Sequence, residues 1–450
     1  MPNDILEKIF RQYDIRGEYP NEINSNIAYL LGWSLANFFQ KKTEKTDILV
    51  GHDNRRSSLP LFEALTDGVL DSGSNAFSLG LCTSPMFYFA SGHYGFDEGG
   101  VMITASHLPK QYNGFKLVRD FPDSVDIGSG LVEIKSMMGK RIFQRERGKM
   151  TEKSILKDYV ESILRDTSLE NISLKIVIDT ANSATGIVIP EIFKNTGMKI
   201  YQLFPELDDD FPGRPLNCTD ADNLKELKKW VLERKADFGV AFDGDGDRVV
   251  FLDEKGNFIS PAVITAFLAS ILLKENPGEK ILYTVNQSRV IPEVIEKEGG
   301  RAVICQVGHS NIKKKMREEN ILFGGEASAH YYSRSQYFAE SPFFVLFKII
   351  KQVSKSKKPI SELVKPFQKY FNSGEINFDI SDPKNILIKL EEKFKEGKIL
   401  EIDGLRVDFK DWWFNIRPSH TEDVLRMVVE AKSQELMEEK KKELSALIQG

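Results

Sequence analysis

Three times along the chain the same pattern of residues returns, and that repetition limits the fold more than any other feature. Each time a β-branched run ends in a polar loop, a helix follows with a glycine near its close, and another strand comes next. The first copy reads DILVGHDNR, LPLFEALTDGVLDSG and NAFSLG from Asp47. The second reads KIVIDTANSATG, IPEIFKNTG and KIYQLF from Lys175, and the third KILYTVNQSR, IPEVIEKEGG and RAVICQVG from Lys280. Gly73, Gly197 and Gly299 fall where a helix C-terminus favours left-handed backbone. Each copy reads as a strand–helix–strand unit of a mostly parallel sheet.

Each copy is followed by a third strand with unusual chemistry at its end: GGVMITASH, then ADFGVAFDGDGDR, then NILFGGEASAH. In α/β sheets ligands gather at the carboxyl ends of strands, so three such domains can offer their polar loops to one shared cleft. From about Lys369 the pattern changes to short strands (GEINFDI, LRVDF, WWFNIRPS) and a charged helix expected over Thr421 to Ile448. This predicts a smaller α+β fourth domain. The expected boundaries are 1–150, 151–253, 254–367 and 368–450. SKSKKP at 354–359 reads as a solvated loop, and EEKKKE at 438–443 as an exposed helix face.

The 450 residues are 41% hydrophobic and 28% charged, ordinary values for a protein with a large core. With 61 basic and 66 acidic residues the net charge is −5, which leaves no electrostatic footprint for nucleic acid. Any phosphate chemistry must therefore use locally concentrated positive charge. Cys82, Cys218 and Cys305 lie far apart, without metal-ligand spacing, and read as reduced thiols of a cytoplasmic protein. The first ten residues carry no apolar run and predict no signal peptide. The longest apolar stretch, Pro261 to Leu273, is shorter than the ~20 residues a bilayer needs and predicts a buried helix.

DGDGDR, Asp243 to Arg248, follows the apolar strand FGVAF. Glycines between Asp243, Asp245 and Asp247 let the backbone wrap tightly. Three carboxylates so close repel one another unless a cation sits between them, and hard oxygen ligands with open positions suit Mg²⁺. Arg248 adds a planar donor fork for phosphate oxygens. A calcium loop would need glycine where Arg248 stands, and VVFLD after it reads as a strand, not a helix. An exposed acidic turn is the plain alternative.

TASHLPKQYNGFK, Thr104 to Lys116, pairs Ser106 with His107; alone it reads as a capping turn, but Asn113, Gly114 and Lys116 add a turn and a cation. FRQYDIRG sets Arg11 and Arg16 beside Tyr13 and Asp14, a surface salt bridge in its plain reading. GHDNRRSS, Gly51 to Ser58, reads as a structural turn and helix start. VGHSNIKKK puts Gly308 and His309 at a helix start, where His309 can aid an anion and Ser310 can act as its cap. GGEASAHYY carries Glu326 and Ser328, suited to sugar hydroxyls, and His330, which titrates near neutrality unless it faces the core. RPSHTEDVLR sets Arg417, Ser419, His420 and Thr421 at an expected strand-to-helix junction, an anion cradle in which Ser419 or Thr421 can be a plain cap. Four of the chain's six histidines, His107, His309, His330 and His420, fall in these loops.

In this order and over almost the whole chain, these motifs resemble the α-D-phosphohexomutases, in particular the phosphomannomutase/phosphoglucomutase branch. The resemblance implies four domains around a central cleft: three similar mixed α/β-sheet domains and a smaller C-terminal α+β domain. It implies a phosphorylated Ser106, with Asp243, Asp245 and Asp247 holding Mg²⁺ and the serine phosphate as a further ligand. Arg16, Lys116, Arg248 and His107 would surround the moving phosphoryl group, with Tyr13 among the substrate-binding residues and His330 as proton shuttle. Gly308 and His309 would border the sugar, Glu326 and Ser328 would read its 3- and 4-hydroxyls, and Arg417, Ser419, His420 and Thr421 would grip the far phosphate.

The implied reaction moves phosphate between the 1- and 6-positions of mannose or glucose through a hexose 1,6-bisphosphate, which also serves as activator. The implied partner is a small phosphosugar, in a monomer or homodimer, with no nucleic acid or membrane. Departures from the common pattern are Leu108 and His420 where Asn is usual, Asp423 for Pro, and Asn286 for a frequent Lys; Asn286 and His420 bear on substrate preference. The rival readings are a phosphoglucosamine mutase, which usually has Gln where Ala327 stands, a catalytically idle sugar-phosphate binder, and a phosphatase using Asp243 as nucleophile. Loss of Ser106 or of an Asp would have suggested the idle binder, and neither is lost; the phosphatase would have no need of Ser106.

Overall fold

The computed structural model describes residues 3–40, 47–96, 99–119, 121–138, 146–165, 167, 169–380, 382–419 and 424–449. The chain divides into two compact units, Met1–Ser260 with Ser328–Leu363, and Pro261–Ala327 with Val364–Gly450.

The repeat is one topology used three times. In the first copy, strand Asp47–His52 lies between Asn75–Leu81 and Gly100–Ile103, parallel to both. In the second, Lys175–Asp179 lies between Lys199–Leu203 and Phe238–Phe242. In the second unit, Lys280–Thr284 lies between Arg301–Cys305 and Phe323–Gly325. The first strand of each copy is thus internal, which is why it reads as an unbroken apolar run: Ile48, Leu49 and Val50, like Ile176, Val177 and Ile178, are fully buried.

In the first unit the third strand of each copy is backed by an antiparallel return. Tyr112–Arg119 runs back along Gly100–Ile103, setting Lys116 opposite Met102, and Ile15–Glu18 adds at its far side with Arg16 opposite Gly114. Gly114 and Lys116 share a face of their strand, so Arg16 and Lys116 project to the same side. Val249–Leu252 returns along Phe238–Phe242, and the six residues between these strands are Asp243 to Arg248.

The C-terminal part of the second unit is an antiparallel sheet of order Phe371–Asn372, Leu425–Ala431, Trp412–Pro418, Leu405–Asp408, Lys398–Leu400. Helices Pro383–Lys393 and Gln434–Gln449 supply Leu390, Met437, Leu444 and Ile448 to a core with Phe414 and Trp412.

Some local readings are corrected. The helix expected from Thr421 begins at Gln434, and Leu425–Ala431 is a strand paired with Trp412–Pro418. Its Met427, Val428 and Val429 are all buried, and the two β-branched valines suit a strand that is covered on both faces. Gly73 and Gly299 have the expected positive φ, 88° and 75°. Gly197 is not among the positive-φ residues, because its helix already ends at Phe193. Ser354–Ser356 of SKSKKP continue helix Pro342–Ser356, and Lys357 closes it in left-handed backbone. The apolar stretch forms the buried helix Pro261–Glu275. Among the described residues, no helix is long and apolar enough to cross a membrane.

Candidate active site

Asp243, Asp245 and Asp247 are buried, and one carboxylate oxygen from each lies within 4.8 Å of the others. The turn closes on itself: Asp243 Oδ1 accepts from the amides of Asp247 and Arg248, both at 3.1 Å. Gly244 is required by what lies above it, since a Cβ there would stand 2.4 Å from the carbonyl oxygen of Ser106. Hence two loops of different repeats meet backbone to side chain, and Ser106 Oγ donates to Asp243 Oδ2 at 2.9 Å. Ser106 is no helix cap; it follows strand Gly100–Ile103 with a φ of 53°. Non-glycine residues hold that conformation only where the surroundings impose it.

Cations ring the carboxylates. Lys116 Nζ lies 2.6 Å from Asp245 Oδ2 and 2.6 Å from Asp247 Oδ2. Arg248 Nε lies 3.6 Å from Asp243 Oδ2. Arg16 Nε donates to Asp14 Oδ2 at 2.6 Å, with a second guanidinium nitrogen 3.4 Å from the carbonyl of Ala105. The Asp14–Arg16 pair is therefore mostly buried, not a surface bridge. Tyr13 is buried one residue before Asp14. His107 Nδ1 stands 3.4 Å from Ser106 Oγ. His330 arrives through a backbone bridge to Arg248. Its Nε2 faces Asp247 Oδ1 at 3.1 Å and its Nδ1 faces Ser328 Oγ at 2.8 Å. Arg248 Nε lies 3.4 Å from the same Nε2, and the two contacts demand opposite roles of that nitrogen. The shorter contact, to a carboxylate, assigns the proton to Nε2 and leaves Ser328 to donate to Nδ1.

These neighbours pull the carboxylates apart in acidity. Burial, with the charges of Asp247 and Asp245, pushes Asp243 up to about 7. Burial also opposes the charge on Asp247, but Lys116, His330 and Arg248 outweigh it and hold that carboxyl well below its usual range. Lys116 stays protonated far above its usual value, because Asp245 and Asp247 overcome the cost of burying it. Burial, Arg248 and Arg16 drive His107 well below its usual value, so its ring is neutral at pH 7.

The donor set fits a hard divalent cation. It offers three clustered carboxylates, and Asp245 Oδ1 is buried without a hydrogen-bond partner. A buried carboxylate oxygen left bare is costly unless a cation takes it. The exposed Asp208–Asp210 group, whose Asp209 and Asp210 pair with Arg56 and Lys110, has no such vacancy to fill.

In the second unit Gly308 caps helix His309–Glu318, and its amide donates to Glu326 Oε1 at 3.2 Å. His309 is the first helical residue, and Ser310 is buried inside the helix and makes no side-chain cap. Asn286 is buried and accepts from Thr284 Oγ1 at 2.8 Å. Arg417 is buried and pairs with Glu375 at 3.2 Å, and the Ser419 amide donates to the carbonyl of Val424. Arg417 and Ser419 thus lie at the end of one strand, and among the described residues the next element is the strand Leu425–Ala431, not the helix expected to start the anion cradle. His420 and Thr421 lie outside the described residues.

Sequence reasoning missed Ser84 and undervalued Arg55. Ser84 Oγ donates to Asp245 Oδ2 at 2.6 Å and its amide to the Asp245 carbonyl at 2.9 Å. The available signal was T-S-P, a helix start directly after strand Asn75–Leu81. Arg55, read as part of a structural turn, donates to the Ser106 carbonyl at 2.7 Å.

Four consecutive stretches match domains of one family, described as phosphoglucomutase/phosphomannomutase. Alpha/beta/alpha domain I matches over 7–126, domain II over 157–256, domain III over 260–370 and the C-terminal domain over 375–447. A phosphomannomutase of Methanocaldococcus jannaschii is 36% identical over 449 residues, covering 98% of this chain and 97% of the relative. Phosphohexose mutases of Xanthomonas campestris are 34% identical over 448 residues, covering 98% and 99%. The crystal structure of a phosphoglucomutase/phosphomannomutase family protein from Burkholderia thailandensis superimposes with a TM-score of 0.90 at 26% identity, covering 98% and 97%. N-acetylphosphoglucosamine mutase of Aspergillus fumigatus, solved with GlcNAc-6P and magnesium, shares the fold at a TM-score of 0.64 and 13% identity, covering 99% and 98%.

Proposed function

The chain belongs to the phosphoglucomutase/phosphomannomutase family of phosphohexomutases, which are isomerases, and from that premise we propose that it moves phosphate reversibly between the 1- and 6-positions of a mannose or glucose phosphate, with Ser106 as the carrier. The observation that carries this reading is the Ser106 hydroxyl, held in left-handed backbone 2.9 Å from Asp243 beside a carboxylate set with a bare oxygen on Asp245.

Phosphoryl transfer depends on in-line positioning and charge neutralisation. Phosphorylated Ser106 loses its phosphoryl group as its Oγ–P bond breaks and an O–P bond forms to a sugar hydroxyl, and the Oγ left behind takes one proton, for which His107 stands 3.4 Å away, to become a hydroxyl again. The hydroxyl proton leaves to His330 Nδ1, the unprotonated nitrogen, which gives up its contact with Ser328 to take it while Nε2 stays on Asp247. The product is a hexose 1,6-bisphosphate; it turns round, and its other phosphate returns to Ser106. The same bisphosphate primes the resting enzyme. Lys116, Arg16 and Arg248 supply fixed positive charge to the phosphoryl oxygens. His107, with Nδ1 3.4 Å from Ser106 Oγ, would add a hydrogen bond there. Asp243, Asp245 and Asp247, with the Ser106 phosphate, would hold Mg²⁺, which would supply further neutralisation of those oxygens. In the second unit, Glu326 with Gly308 and His309 would take sugar hydroxyls, as would Ser328 in the first, and Arg417 with Ser419 would take the phosphate that does not react.

The test is a coupled assay with Mg²⁺, glucose 1-phosphate or mannose 1-phosphate and a trace of the 1,6-bisphosphate, on wild type and Ser106→Ala, with phosphate mapped by mass. Turnover that collapses in the variant, with one phosphate on Ser106, is expected. Full activity without Ser106 sinks the phosphoserine scheme, and turnover of glucosamine phosphates alone moves the sugar assignment.

A further inference from the structure

We propose that Arg55 is the positioning residue of the phosphoryl carrier: a buried guanidinium whose hydrogen bonds hold the Ser106 loop in its strained, productive shape. This rests on the reading of Ser106 given above.

Arg55 is 2% exposed, in the loop after strand Asp47–His52. A guanidinium has five N–H donors in a fixed plane, and here each has an acceptor. Nε donates to Asp53 Oδ2 at 3.1 Å. One Nη donates to the carbonyls of Pro109 at 2.8 Å and Tyr112 at 3.1 Å. The other donates to those of Ser106 and Leu108, both at 2.7 Å. Four of the five acceptors are main-chain oxygens, three in the loop that carries Ser106 and the fourth on Tyr112, the first residue of the strand that follows it. The loop's other end is tied to the same pair. Thr104 Oγ1 donates to Asp53 Oδ2 at 2.7 Å and accepts from the Ser106 amide at 2.9 Å. Both the amide and the carbonyl of Ser106 therefore lead back to Asp53 and Arg55, which accounts for a serine held at a φ of 53°.

The second repeat closes the clamp. The Phe211 ring centre lies 5.7 Å from the Arg55 guanidinium carbon, and Asn54 Nδ2 donates to the carbonyls of Asn182 and Asp208. The device also recurs there. Arg214 Nε donates to Asp179 Oδ2 at 2.7 Å, and a second nitrogen donates to the carbonyl of Phe242, just before Asp243, at 2.6 Å. In both repeats a buried aspartate at or just past the end of the first strand holds an arginine, local in the first repeat and 35 residues on in the second, that binds main chain at or next to the reactive loop.

Lysine keeps the charge but has three donors on one point and no fork. Arg55→Lys and Arg55→Ala are the variants to make. We expect kcat to fall about 100-fold or more, because displacing a reacting group by about 1 Å costs that much. KM for the sugar phosphate should change less than about threefold, since the lost interaction touches no substrate. Low-millimolar guanidinium should restore part of the activity of Arg55→Ala and none of Arg55→Lys. Deuterium exchange of the Ser106, Leu108 and Tyr112 amides should quicken in both, with strand Asp47–His52 still protected. A kcat within about threefold of wild type overturns the proposal. So does equal loss of protection in the strand, which marks general loosening. If neither variant folds, Thr104→Val carries the same test, with the same exchange pattern expected and the same two results against it. A wild type without mutase turnover would sink the proposed function instead, and the exchange pattern would still decide the clamp.

Discussion

Lys116 Nζ stands 2.6 Å from Asp247 Oδ2, so an ammonium occupies the inside of a carboxylate set that also suits a metal ion. Its second contact, 2.6 Å from Asp245 Oδ2, makes it the internal counter-ion of the metal-free protein. Removing one partner of a buried pair leaves uncompensated charge, at a cost of about 3–5 kcal/mol. Lys116→Met should lose roughly that much stability in EDTA, and Mg²⁺ should recover more in the variant than it adds to wild type. Thermal unfolding with and without Mg²⁺ checks this; equal Mg²⁺ stabilisation of both proteins would mean that lysine and metal do not share the carboxylates.

Asp243 supplies a pH signature. Its carboxyl is raised from 3.8 to about 7 by burial and by Asp247 and Asp245. Between those values the folded metal-free protein keeps a proton that the unfolded chain has released. Stability therefore falls as pH rises through that window, and the full penalty stands above it. Asp243→Asn keeps an oxygen for the Asp247 and Arg248 amides and removes the charge. In EDTA the variant should be more stable than wild type at pH 8, with the gap closed near pH 4. Denaturant titrations at the two pH values measure it, and a gap independent of pH would contradict the assignment.

Gly244 tests the meeting of the two loops. A methyl at this position would stand 2.4 Å from the Ser106 carbonyl oxygen, a main-chain atom that Arg55 also holds. Neither loop can give way cheaply, so overpacking should cost about 1–3 kcal/mol. Displacement of Ser106 from Asp243 should cost activity about 100-fold or more. Gly244→Ala should keep its far-ultraviolet circular dichroism while losing turnover; normal kcat in a folded variant would show that the loops tolerate separation.

What could be read from the sequence was local, and what could not was carried by partners far along the chain. The strand ending at Phe242 and the carboxylates after it are adjacent in sequence, so Asp243, Asp245 and Asp247 announce themselves. The threefold topology was legible because each internal strand is a short apolar run between a polar loop and the preceding element. Arg55 was read as structural, and its hold on the Ser106 carbonyl spans 51 residues that no local pattern connects. Ser84 was silent for the same reason, its partner Asp245 lying 161 residues away. Leu425–Ala431 looked like the start of the charged helix because charged residues flank and interrupt it; pairing with Trp412–Pro418 decides it as strand.

That strand pairing changes what Arg417 can do. Among the described residues Leu425–Ala431 is a strand in place of the expected helix, and Arg417 is a buried cation at the end of the strand before it. Glu375 pairs with Arg417 and with Arg426, both at 3.2 Å, so one carboxylate is shared between two guanidinium groups. If Arg417 grips the phosphate that does not react, it acts on a remote part of the substrate, where binding energy also orients the reacting end. Arg417→Met should then lower kcat/KM by about 10- to 100-fold, with KM raised, because a charge-assisted contact worth about 1.5–3 kcal/mol is lost. Phosphorylation of Ser106 itself, read by mass after exposure to the bisphosphate, should still occur at saturation. Steady-state kinetics on the 1- and 6-phosphates makes the measurement. A fall in kcat with unchanged KM would place Arg417 with the reacting groups instead, and no change in either would remove it from the site.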